Sequence, residues 1–229
     1  MIIADPLGVP VSSAMDGGTS MPTAPESSSQ SEEGQRWEAA DPHRAARWLE
    51  TSAHPWWIGG GWAIDLFLDE TTRPHHDLDV GIFRRDEREV RSLFPSWEFA
   101  SAHAGRLDPL PLEEACPLES HSIWCRPAGA GAWLLELVLE EAEGEEWVFR
   151  RDPRVRREAR SIWRGSKSGL PILAPEIELL YKSKAIRGKD QHDFEAVAPH
   201  LSAEARGWLS HALSLVALGH PWIEELRGP

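Results

Sequence analysis

Cysteine is nearly missing: Cys116 and Cys125 are the only two in 229 residues. So few exclude the disulfide framework of a small secreted domain and any cysteine-based metal cluster, and a reduced, cytoplasmic setting is the expectation. No apolar run approaches the ~20 residues that cross a bilayer. The first residues have neither the basic nor the apolar region of a signal peptide, so no membrane partner is expected. Positive charge is scarce as well, with 24 Lys and Arg against 37 Asp and Glu and a formal net charge of -13. That balance disfavours a nucleic-acid backbone as partner, because affinity there comes from Lys and Arg neutralising phosphates. It suits a cationic small molecule.

What is present is enough for one domain, or one domain with an appendage. Residues 1–35 are rich in Ser, Gly, Pro and Thr, contain no Lys or Arg and show no periodicity, which reads as a disordered tail. Its apolar beginning, MIIADPLGVPV, is alternatively an add-on strand or a misassigned start. Structure is expected from about Trp37. Asp41-Pro42 is a good helix start, since Asp caps free N–H groups and Pro fits the first helical position. Ala45, Trp48 and Leu49 form that helix's apolar stripe, and Pro55 stops it.

The stretch WWIGGGWAIDLFLDETTRPHHDLDV, Trp56 to Val80, organises the rest. A short apolar run meets Gly59, Gly60 and Gly61, after which Ile64, Phe67 and Leu68 recur at helical spacing. The pattern predicts strand, glycine turn, helix. Strict alternation follows, with Leu78, Val80 and Ile82 on one face and Asp77, Asp79 and Gly81 on the other. Two carboxylates at i and i+2 on a strand can hold hard cations between them, and Mg²⁺ prefers a few carboxylates completed by substrate phosphates. The glycines fit the other half: their N–H groups can approach a phosphate closely, at the positive end of the following helix. Arg73, in the loop before the strand, is a candidate bidentate phosphate ligand. Asp65 reads as structural more than as a metal or ribose contact. His75 and His76 read as solvated loop residues, because adjacent histidines point apart and no third zinc ligand lies at suitable spacing.

Further on, Asp86 to Phe94 predicts a packing helix, and residues 95–120 read as irregular, a variable loop beside a substrate pocket. Ser122 to Arg126 is a strand, Gly129 and Gly131 make a turn, and WLLELVLE has the density of a buried central strand. Within it Glu136 shares a face with Leu134 and Val138. A carboxylate in that company needs a partner, for which Arg150 or Arg151 is available. EWVFRR is a neighbouring strand. Arg154, Arg156, Arg157 and Arg160 form either a phosphate-facing surface or, as charge runs commonly do, a solvated rim. Pro175 opens a helix with Ile177, Leu180 and Tyr181 inward, and Lys182 and Lys184 come at its end, where the dipole favours them. Lys189, Asp190 and Asp193 suit a charge network, residues 202–217 a final amphipathic helix, and nothing is read beyond Pro221.

GGGWAIDLFLDETTRPHHDLDVGIFRRD, HSIWCRPAGAGAWLLELVLEE, EWVFRRDP and APEIELLYKSKAIRGKDQHDF occur here in one order. Together they resemble the nucleotidyltransferase superfamily that includes DNA polymerase beta, and within it the branch of aminoglycoside 2''-adenylyltransferases and lincosamide nucleotidyltransferases. The likeness spans roughly residues 37 to 201. It implies a mixed α/β fold with a small twisted sheet, with a nucleotidyltransferase core over 36–172 and a short helical part over 173–229 packed on that core. It further implies transfer of an NMP, AMP from ATP in first place, to a hydroxyl of a small molecule such as an aminoglycoside or lincosamide, with pyrophosphate released. Asp77, Asp79 and Glu136 would be the catalytic carboxylates holding two Mg²⁺ ions; Glu136 stands where the superfamily more usually has Asp. Gly59, Gly60, Arg73 and Lys182 or Lys184 would hold the phosphates. Two alternatives stay open: a nucleotide-binding or regulatory protein on the same fold that has lost catalysis, and an enzyme whose acceptor is a protein or a tRNA end.

Overall fold

The computed structural model describes residues 36–228, so the tail expected over 1–35 lies outside the described residues. Helix α1 (Pro42–Leu49) begins where the sequence predicts, with the Asp41 carboxylate accepting from the Arg44 N–H at 3.0 Å. Strand β1 (Trp56–Ile58) runs through the glycine turn into α2 (Gly60–Leu68), and β2 (Asp79–Phe83) follows the polar loop. Asp77 stands exposed just ahead of β2 and outside it. A 3-10 turn over Arg84–Asp86 leads into α3 (Glu87–Ser92).

Residues 95–120 are not irregular throughout, which corrects the sequence reading. They contain a hairpin, β3 (Trp97–His103) and β4 (Arg106–Pro109), with His103 paired to Arg106 across a two-residue turn. Both turn residues, Ala104 (φ 50) and Gly105 (φ 78), have positive φ. Such a turn ordinarily announces itself as Asn-Gly or Asp-Gly. Alanine in the first position hides it.

The remaining strands are β5 (Ser122–Pro127), β6 (Leu135–Glu143), β7 (Glu146–Val148), β8 (Arg156–Glu158), β9 (Trp163–Gly165) and β10 (Pro171–Leu173). Helices α4 (Pro175–Lys182), α5 (Gly188–Val197), α6 (Ala203–Val216) and α7 (Pro221–Leu226) close the described chain. The last of these is a second correction. Beyond Pro221 the chain is a short helix with Trp222 fully buried.

The sheet is mixed, as expected, but at ten strands it is not small. Its order is β4-β3-β5-β6-β2-β1-β10-β9, with β7 and β8 continuing from β6. Among the described strands, β2 with β6 and β1 with β10 pair in parallel and the others antiparallel. Alternation then sorts the side chains. Ile58, Val80, Ile82, Leu135, Leu137 and Leu139 enter one continuous core with α1 and Val90 of α3. On the opposite face Trp57, Phe83 and Trp147 meet Ile177, Leu209 and Trp222 of the late helices. Those helices leave Asp79, Gly81, Glu136 and Val138 at the floor of a pocket.

Candidate active site

Register brings the carboxylates together. Asp79 on β2 stands opposite Glu136 on β6 in the parallel pair, so the two side chains leave one face of the sheet as neighbours. They lie in a pocket of about 440 Å³ that Glu140, Glu178, Arg150 and Arg151 also line. Burial pushes the Asp79 carboxyl well above the usual range, and the charges of Glu136, Asp77 and Glu178 push it further, against the pull of Lys182. Glu136 is raised too, by burial first and by Asp77 in addition, with hydrogen bonding to Ser122 and the charge of Arg150 working the other way. Among the described residues no cation lies within ion-pair distance of Asp77, Asp79 or Glu136. Crowded carboxylates of this kind keep a proton or bind a cation.

Among the described residues, no three His, Cys, Asp or Glu side chains are gathered around one metal position. The donor set still fits a hard divalent cation: adjacent carboxylate oxygens, with no cation at ion-pair distance among the described residues, on a pocket floor. Asp79, Glu136 and the exposed Asp77 are the residues that would hold it.

The glycine turn has a definite geometric task. Gly60 has φ 60, and a Cβ there would stand 2.0 Å from Asp79 Oδ2, so only glycine lets the aspartate lie against the turn. The N–H groups expected to cradle phosphate are engaged within the chain. Gly59 donates to the Asp79 carbonyl at 2.9 Å, and Gly60 donates to Glu178 Oε2 at 3.0 Å.

The cations proposed for phosphate are held in the same way. Arg73 makes a bidentate pair, Nε and Nη2 each 3.1 Å from an oxygen of Asp193. Lys182 Nζ lies 3.0 Å from Asp193 Oδ2 and 3.4 Å from Glu178 Oε1. Lys184 is exposed in the turn after α4. Nor is His75 solvated: its side chain is 2% exposed, with Nε2 2.6 Å from Asp65 Oδ2, while Asp65 Oδ1 accepts from both N–H and Oγ1 of Thr72. Asp65 is structural, as read, and pins the loop that carries Arg73 and His75. His76 is exposed. Arg154, Arg156, Arg157 and Arg160 pair with Asp152, Glu143 and Glu146, Glu176, and Glu158, which makes them a rim.

Three pocket residues escape the sequence reading of the site. Glu178 sits in the first turn of α4, where an acid looks like a dipole partner. Glu140, 1% exposed, accepts from Trp147 Nε1 at 2.7 Å and from Tyr181 OH at 2.6 Å. Its signal was present, two alternations beyond Glu136. Arg150, which the sequence offers with Arg151 only as an ion-pair partner for Glu136, lies over the Tyr181 ring, 4.9 Å from the centroid.

Sheet, glycine turn and paired carboxylates define a nucleotidyltransferase of the adenylyltransferase type. The chain belongs to the aminoglycoside-2''-adenylyltransferase family, whose model matches residues 43–196. A search of the curated proteins finds no match. Among solved structures the fold is similar to the crystal structure of ANT(2'')-Ia in complex with adenylyl-2''-tobramycin, at 15% identity over 75% of this chain and 94% of that chain, with a TM-score of 0.50. It is also similar to the solution structure of the antibiotic-resistance factor ANT(2'')-Ia, at 16% identity over 75% of this chain and 88% of that chain, with a TM-score of 0.50.

Proposed function

We propose that the protein transfers an adenylyl group from ATP to a hydroxyl of a small, cationic acceptor such as an aminoglycoside or lincosamide, with pyrophosphate leaving. The observation that carries this reading is the register of Asp79 against Glu136 on the pocket floor, with no cation at ion-pair distance among the described residues. Mg²⁺, in one or two ions, would be held by Asp79, Glu136 and Asp77, and supplies neutralisation of the charge that develops on the phosphates. The acceptor hydroxyl attacks the α-phosphorus in line, and the bond to the pyrophosphate oxygen breaks. Glu136, its carboxyl raised chiefly by burial, would take the hydroxyl proton. Acidic lining by Glu119, Glu140 and Glu178 favours a cationic acceptor and disfavours nucleic acid.

For the phosphates, Gly60 would exchange the Glu178 carboxylate, and Arg73 and Lys182 the Asp193 carboxylate, for phosphate oxygens. Lys184 would reach in from its turn, and Gly59 contributes the absence of a side chain. Those standing internal pairs also favour a second reading, a protein on this fold that binds nucleotide without transferring it.

The test is incubation with Mg²⁺, each of the four NTPs and a panel of aminoglycosides and lincosamides, following pyrophosphate release and a mass gain of one nucleotide. Transfer is expected with ATP, and Asp79→Asn is expected to abolish it while leaving the fold intact. Full activity in that variant would remove the assignment. Mg²⁺-dependent ATP binding without transfer to any acceptor would favour the second reading.

A further inference from the structure

Arg150 differs from the other candidate cations of the pocket. Its Nη1 is buried without a hydrogen-bond partner among the described residues. Neighbouring Arg151 spends its own Nη1 on the Tyr181 carbonyl at 2.6 Å, and Arg73 and Lys182 are committed to Asp193. A guanidinium N–H left buried and unpaired is costly. A folded chain carries such a cost where a ligand completes the bond.

The pose of Arg150 is fixed by its surroundings. Its guanidinium lies over the Tyr181 ring, whose hydroxyl donates to the buried Glu140. Glu140 is itself held by Trp147 Nε1. Ring, carboxylate and indole therefore make a rigid seat, and the cation on it lines the pocket that holds Asp79 and Glu136. Its positive charge is felt by Glu136, Glu140 and His121. The pocket lined by these carboxylates thus also carries a cation held in a set pose.

Resting on the nucleotidyltransferase reading of this pocket, we propose that Arg150, seated on Tyr181, binds the anionic polyphosphate chain of the donor nucleotide through its guanidinium, which lines the pocket and pairs with no carboxylate among the described residues. The ligand class is a polyphosphate, and the positive charge stands in the pocket lining before the ligand arrives. It requires none of the carboxylate exchanges that Gly60, Arg73 and Lys182 would need.

The experiment measures binding of ATP, AMP and inorganic pyrophosphate, with Mg²⁺ present, by titration calorimetry and by ligand-induced shift in melting temperature. Wild type is compared with Arg150→Met, Arg150→Lys and the exposed control Lys189→Met. Arg150→Met is expected to weaken ATP and pyrophosphate by about tenfold or more, the scale of one lost charge-assisted bond. AMP is expected to change less than about twofold, Arg150→Lys to recover part of the loss, and Lys189→Met to bind as wild type. The ligand-free Arg150→Met protein is expected to melt at or above the wild-type temperature, because an unpaired buried donor is gone. That separates lost binding from lost folding. Unchanged ATP and pyrophosphate affinity in Arg150→Met would overturn the role of Arg150 and leave the enzyme reading standing. Wild type that binds neither ligand would overturn both. An Arg150→Met that melts well below wild type in the absence of ligand would identify the arginine as structural and also overturn the proposal.

Discussion

Asp193 serves two cations at once. With a side chain 0% exposed, it takes Arg73 through both oxygens and Lys182 through one, tying the loop before β2 to α4 and α5. Burial alone would raise its carboxyl; the hydrogen bonds and charges of Arg73 and Lys182 outweigh that and hold it below the usual value. A carboxyl whose folded pKa is depressed adds stability above the unfolded value, about 3.9, and loses it as pH falls through the folded value. Asp193→Asn should therefore cost about 3–5 kcal/mol at pH 7, as expected for a buried pair broken on one side. The gap between variant and wild-type melting temperatures should narrow in acid, below about pH 3.9. A gap that stays constant into acid would mean that the amide merely packs badly.

At the scale of elements, the glycine turn decides where Asp79 lies. A side chain at Gly60 meets Asp79 Oδ2 at 2.0 Å, and the residue's φ of 60 disfavours any L side chain. Gly60→Ala is expected to lose about 1–2 kcal/mol from the left-handed backbone alone and nearly all transfer, because the aspartate must move. Gly131→Ala, with open space at its Cβ, should do neither. Equal activity in both variants, read by pyrophosphate release, would show that Asp79 needs no close approach. This turn was legible in the sequence because its signals are local: an apolar run, glycines, a helical stripe, then alternation. Asp41 as cap and Leu78, Val80 and Ile82 as core face were legible for the same reason. What escaped depends on partners far along the chain. Alternation places Glu136 on a face, but not opposite Asp79, 57 positions away by register. Arg73 looks like a free phosphate ligand until Asp193 arrives from α5, and His75 looks solvated until the fold closes over Asp65. The β3–β4 hairpin was missed for a local reason, an alanine where the turn ordinarily has Asn or Asp.

At the scale of the whole molecule, the helical part after residue 172 is packed on the core that precedes it. Core residues from before it, Trp57, Phe83 and Trp147, share one cluster with Ile177, Phe194, Leu209 and Trp222 from after it. Trp222 stacks on Phe194 at 4.3 Å and its Nε1 donates to Gln191 at 2.7 Å, so the short last helix locks α5. Helix α5 carries Asp193, and Asp193 holds the loop and the lysine beside the pocket. A change at the far C-terminal helix should then be felt at the carboxylates. Trp222→Ala is expected to destabilise by about 3–5 kcal/mol, the cost of a buried aromatic cavity. The whole described fold should respond in one cooperative transition, with near-ultraviolet and far-ultraviolet dichroism moving together. Two separated transitions, with only the second displaced by Trp222→Ala, would establish the helical part as an independent unit. A single displaced transition would mean that the helices complete the sheet's second face, and that the pocket floor of Asp79 and Glu136 exists only when they are docked.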